Sequence, residues 1–335
     1  MNIYDVSAKA GVSIATVSRV LNGNSNVSEK TKKKVLAVME ELGYTPNVFA
    51  RGLGLNTMKT IGIMCTDSSD IYLANAVYYI EQQLRANDYD SILCCTGNSL
   101  DNKIKYLNLL LSKRVDAIIL VGSKFLSSKP NTDDNDYILK AAKQLPIILL
   151  NGFLKGDNIY ATLCDDEAAV YSVTDQLIKS GRKNVIYLYT STSYSGQDKL
   201  AGYKKALLDN NIVIRPEFSH MCTKSIERAK DYLNELHAAN ISFDAVVTSD
   251  DSLAVGAVKY AFENKMRIPD DLSIVGYNNS ILANCTQPEL TSIDSKVEEL
   301  CTSAVNTLMK VFDGGDVPQR TVISAELIKR NTTNF

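Results

Sequence analysis

The chain has 335 residues, 45% apolar and 22% charged, enough for two domains or two plus a small appendage. Its net charge of −2 is uneven: residues 1–59 hold eight Lys/Arg against four Asp/Glu, and the rest hold 28 against 34, so a basic end joins an acidic body. No stretch approaches the ~18 apolar residues of a membrane helix, and MNIYDVSAKAGVS lacks an apolar signal core, so a cytoplasmic chain without a membrane role is expected.

The first ~45 residues read as three short helices. Asn2 caps the first, with Asp5 three residues on and Ile3, Val6 and Ala10 on one stripe. Gly11-Val12-Ser13 makes a tight turn in which Ser13 caps a second helix, from Ile14 to about Asn22. Ser28 caps a third, whose apolar face is Val35, Met39 and Leu42, and Gly43 closes it. From Thr60 onward strand-like and helical runs alternate. The strands are 61–65, 91–96, 115–121, 146–150, 185–189, 244–248 and 272–276; the helices are 74–87, 101–113, 166–180, 197–210, 226–239 and 251–265. Apolar strands separated by helices imply an α/β core of parallel sheets covered on both faces, and their number implies two lobes.

Helix, glycine turn and helix is the geometry that sets a second helix into the DNA major groove. At ~100° per residue, one side of that helix carries Ile14, Ala15, Ser18 and Arg19. Val17, Val20 and Leu21 lie on the other side, with Thr16 at its edge nearest Arg19. Arg19 suits guanine O6/N7, and Ile14 and Ala15 suit a thymine methyl. The base-contacting candidates are Ile14, Ala15, Thr16, Ser18 and Arg19; the phosphate-contacting ones are Tyr4, Ser13, Asn22 and Asn26.

Catalytic and cofactor chemistry find no footing. The seven cysteines are scattered without a CxxC and read as buried reduced thiols, and His220 and His237 are the only histidines. There is no Gly-rich phosphate loop and no GxSxG, so neither an enzyme, a cofactor nor a metal site is expected.

The pieces DVSAKAGVS, ATVSRVLNG, VSEKT, ELGYTPN and ARGL, spanning more than fifty residues, resemble the headpiece and hinge of the LacI/GalR family of bacterial repressors. The resemblance runs on through TIGIMCTDSSDIYL, KRVDAIIL, IKSGRKNVIYL, GYKKAL, AVVTSDDSLAVGA, IPDDLSIVGYNNS, PELTSI and ELIKR, in the family's order. It implies a small all-α helix-turn-helix headpiece (1–46), a hinge helix or linker (47–58), and a two-lobed core (59–335) like periplasmic sugar-binding proteins. The N-lobe would be about 59–160 plus 290–318, the C-lobe about 161–289 plus 319–335. In the hinge it implies minor-groove contacts by Ala50 and Leu53, the leucine wedging between base steps. Gly52 and Gly54 make that helix reluctant, at about 0.8–1 kcal/mol each relative to alanine.

The family's ligand lies between the lobes and is coupled to operator binding. Carried over residue by residue, the resemblance assigns effector contacts to Asp70, Tyr72, Leu73, Lys199, Asp250 and Asn278, with the Asp165-Asp166 pair near another ligand position. Asn278 stands where aspartate is usual and loses charge-assisted strength; Lys199 stands where arginine is usual and loses the planar fork. The expected partners are a pseudo-palindromic double-stranded operator, a small effector (a sugar or sugar derivative) and a second copy of the chain. An alternative keeps DNA binding and makes the core a protein-binding or dimerisation module. The headpiece is close to that of catabolite control protein A, a branch whose core binds a serine-phosphorylated carrier through an arginine. Here Asn306 takes that place and Glu298 and Glu299 are added, which speaks for a local pathway regulator.

Overall fold

The computed structural model describes residues 1–21, 26–44, 57–127 and 133–335. The head is three helices, α1 (Ile3–Ala10), α2 (Ile14–Leu21) and α3 (Glu29–Glu41). The expected capping box is present: Asn2 Oδ1 accepts from the Tyr4 and Asp5 amides at 2.9 and 3.2 Å, and Asp5 accepts from the Asn2 amide at 2.8 Å. Gly11 turns the chain at φ 62°, a left-handed value that suits glycine. Val6, Ala10, Val17, Val20, Val35 and Met39 form the head's small buried core.

The core contains two six-stranded sheets. In chain order the strands are β1 (Thr60–Cys65), β2 (Asp90–Cys95), β3 (Ala117–Val121), β4 (Ile147–Leu150), β5 (Ile159–Cys164) and β6 (Val185–Tyr189). Then follow β7 (Ser219–Met221), β8 (Ala245–Thr248), β9 (Ser273–Tyr277), β10 (Thr291–Asp294), β11 (Arg320–Ile323) and β12 (Glu326–Ile328). The N-lobe sheet runs β11-β5-β4-β3-β1-β2, the C-lobe sheet β12-β10-β9-β8-β6-β7. Among the described residues all pairings are parallel except β10 with β12. Strand centres such as Ala117–Val121 are buried throughout, as a sheet covered on both faces requires.

Strand pairing moves the expected lobe boundaries. Strand β5 lies wholly in the N-lobe sheet, so the boundary at 160/161 cuts through a strand; the crossing falls at Asp165. Strand β10 belongs to the C-lobe although 290–318 was assigned to the N-lobe, and β11 belongs to the N-lobe although 319–335 was assigned to the C-lobe. The chain thus crosses three times, after β5, β10 and β11, and pattern alone cannot tell which sheet a short strand joins. Helices Ile71–Ala86 and Val297–Phe312 cover one face of the N-lobe sheet, burying Ile80, Leu84, Leu300 and Leu308. Of the seven cysteines five are buried; Cys95 and Cys285 are exposed, against expectation, because β2 is an edge strand and Cys285 ends a short surface helix.

Candidate functional site

On the head, the α2 surface divides as its sequence demands. Val17 and Val20 are buried, while Ile14, Ala15 and Arg19 are exposed and Thr16 and Ser18 half-buried. Arg19 makes no hydrogen bond or ion pair among the described residues. The Ser13 hydroxyl caps α2 through the Thr16 amide at 3.2 Å and meets the Thr16 hydroxyl at 2.9 Å, so both candidates are held in place. Tyr4, on α1, is 66% exposed. Asn26 is exposed. Asn22, Ala50 and Leu53 lie outside the described residues. At the core end of the hinge, Asp116 accepts from the Met58 and Thr60 amides and the Thr57 hydroxyl at 2.9–3.1 Å, so the core grips the chain over Thr57–Thr60.

Between the lobes lies a cavity of about 330 Å³. It is lined by all six expected effector residues, Asp70, Tyr72, Leu73, Lys199, Asp250 and Asn278, and by nine serine and threonine side chains. The topology explains the gathering. Loops after parallel strands open at their C-terminal ends, and both lobes turn these ends toward the cleft.

Each expected residue has a definite environment. Asp70 caps helix Ile71–Ala86, its Oδ1 accepting from the Tyr72 and Leu73 amides at 3.0 and 3.2 Å. Asp250 caps helix Asp251–Glu263 through the Ser252 amide at 3.0 Å, and its Oδ2 accepts from Asn278 Nδ2 at 3.2 Å. Asn278 has φ 91°, a value asparagine tolerates better than most residues. The Tyr72 hydroxyl accepts from Asn151 Nδ2, and burial pushes its pKa well above the ordinary tyrosine range. Lys199 is buried at the cavity floor, 3.6 Å above the Tyr277 ring centre, with Nζ 3.8 Å from Asp166 Oδ1. Tyr277 donates to the same carboxylate. Burial, with Asp166 adding to it, drives the neighbouring Cys164 thiol up to about 12.

Sequence reasoning missed four cavity groups. Lys224 reaches both Asp70 and Asp250. Ser123 of the N-lobe and Ser193 of the C-lobe meet at 2.8 Å across the cleft. The buried Ser295 hydroxyl has no hydrogen-bond partner among the described residues and lines the cavity. Lys224 follows a three-residue edge strand with no periodic signal, and the serines carry none; only the fold collects them.

These features define a two-lobed, cleft-forming receptor carrying a helix-turn-helix head. Residues 2–47 match the family model of bacterial regulatory proteins of the lacI family, and residues 174–333 match a periplasmic binding protein-like domain. An HTH-type transcriptional regulator of Lachnoclostridium phytofermentans is 60% identical over the whole of both chains. Catabolite control protein A of Priestia megaterium is 30% identical over 93% of each. Among solved structures, the Lac repressor dimer bound to operator and the anti-inducer ONPF superposes with a TM-score of 0.89, at 26% identity over 99% of this chain and 98% of that one. The chain belongs to the LacI family, and is a DNA-binding transcriptional regulator.

Proposed function

We propose that the chain is a cytoplasmic, homodimeric repressor of carbohydrate-related genes. It binds a pseudo-palindromic operator, and a sugar or sugar derivative held between the core lobes controls its affinity. Two-fold symmetry of the dimer would be matched by symmetry of the operator. On DNA, Ile14, Ala15, Thr16, Ser18 and Arg19 meet base edges, Tyr4, Ser13, Asn22 and Asn26 meet phosphates, and Ala50 and Leu53 enter the minor groove.

The observation that carries the effector half is the cavity itself. It is lined by residues of both lobes, rich in hydroxyls, and offers Asp250 and Asn278 side by side to vicinal hydroxyls. Asp70, Tyr72, Leu73 and Lys199 complete its wall and floor. On the exposed outer face of helix Val297–Phe312, Glu298 and Glu299 would repel a phosphoserine and Asn306 offers no positive charge to pair with it, which supports a pathway-specific regulator.

The test is thermal unfolding of the full chain against sugars, sugar phosphates, nucleosides and purines. A ligand at ~100 times its Kd adds about 2.7 kcal/mol of stability. A stabilising sugar whose effect is lost in Asn278→Ala supports the proposal. No stabilising ligand across the panel would contradict it. One observation favours the second reading, a core that binds a protein or only dimerises: Lys199 and Lys224 are already neutralised by carboxylates within the chain.

A further inference from the structure

Lys224 stands between the lobes as an internal cation. Its Nζ lies 2.7 Å from Asp250 Oδ2 and 2.9 Å from Asp70 Oδ2. Lys224 and Asp250 both belong to the C-lobe, whereas Asp70 belongs to the N-lobe. The Asp250 contact therefore positions the lysine, and the Asp70 contact spans the cleft. Neither carboxylate is free to follow a departing lysine, because each spends its other oxygen on a helix N-terminus. The Lys224 side chain is 32% exposed. Burial disfavours its charge, but Asp250 and Asp70 outweigh burial and hold the ammonium above its ordinary range. Without it, two carboxylates from opposite lobes would share one side of the cavity uncompensated. The Ser123–Ser193 hydrogen bond closes the cleft at a second point.

We propose that Lys224 is an interlobe latch and a specificity-determining residue. It holds the cleft closed in the absence of effector, and an entering ligand takes its place at Asp70 and Asp250. A group that replaces an ammonium between two carboxylates must bring donors, so this wall selects vicinal hydroxyls or an amine and rejects groups that only accept. The selectivity rests on the reading of the cavity as the effector site; the latch does not, and is tested without ligand.

The test is amide hydrogen exchange of the full, ligand-free chain, followed in segments 66–73, 190–199 and 223–226. Three variants are compared with the parent: Lys224→Met, Lys224→Arg and Asp70→Asn. Asp70→Asn keeps the capping oxygen and removes the charge, so it decides the question if Lys224→Met does not fold. Lys224→Met and Asp70→Asn are expected to exchange about five- to tenfold faster in these walls, with Lys224→Arg close to the parent and the sheet strands unchanged. Parental exchange in either of the first two would overturn the latch. The ligand panel on the parent chain is unaffected by that outcome, so failure of the latch and failure of the effector site are distinguishable.

Discussion

Asp251 lies against the bare Cα of Gly276: a methyl group added there would stand 2.2 Å from Asp251 Oδ1 and 2.8 Å from Leu290 Cδ2. The carboxylate cannot swing away. Oδ1 accepts from the Ser292 hydroxyl at 2.6 Å, and Oδ2 from the Ser280 amide and hydroxyl at 2.6 and 2.8 Å. This knot ties β9, β10 and the Asp251–Glu263 helix together directly beneath Asp250 and Asn278. Gly276→Ala is expected to cost about 2–3 kcal/mol through overpacking. The urea midpoint is the measurement; an unchanged midpoint would mean the knot is looser than drawn.

Burial pushes the Asp251 carboxyl up to about 6, its hydrogen bonds from Ser292 and Ser280 only partly opposing the shift. Burial likewise raises Asp198 to about 6, helped by Asp166 and Glu167. The unfolded chain holds such groups near 3.8. Between roughly pH 4 and 6 these two carboxyls therefore bind more protons in the folded chain than in the unfolded one, and their contribution to stability rises as pH falls through that window. Above pH 6 both states are ionised and the fold carries the full cost, at most about 3 kcal/mol for Asp251. The urea midpoint should be higher at pH 5.5 than at pH 7.5, with a shallower slope in Asp251→Asn. An identical slope in that variant would remove Asp251 as its source.

Arg19 projects from the exposed side of α2 with no partner of its own among the described residues. Arg19→Ala is expected to cost about 1–3 kcal/mol on a duplex selected by the parent chain, and to relax preference at one position of each half-site. Binding to unrelated DNA should weaken far less. Uniform weakening across sequences would instead make Arg19 a phosphate contact.

Much of this was legible before the fold was known. Asn2, Asp5 and Ser28 announced their helices because capping is local, and the buried strands β1 and β3 announced themselves by continuous apolar runs. Strands β5, β7, β10, β11 and β12 escaped notice: Tyr160 and Thr162 interrupt the first, and the other four are only three or four residues long. The site followed the same division. Residues carried by the family resemblance, such as Asp250 and Asn278, line the cavity. That Asp70 and Asp250 are helix caps turned toward one lysine depends on the tertiary meeting of three loops, which no spacing records.

The decisive measurement is fluorescence anisotropy of the full chain on a pseudo-palindromic duplex recovered from a random pool, with and without the most stabilising ligand. If the interlobe cavity governs the head, that ligand changes operator affinity by about 5- to 150-fold, and Asn278→Ala abolishes the change while leaving ligand-free binding intact. A ligand that stabilises the core yet leaves operator affinity untouched would contradict the coupling on which the proposed function stands.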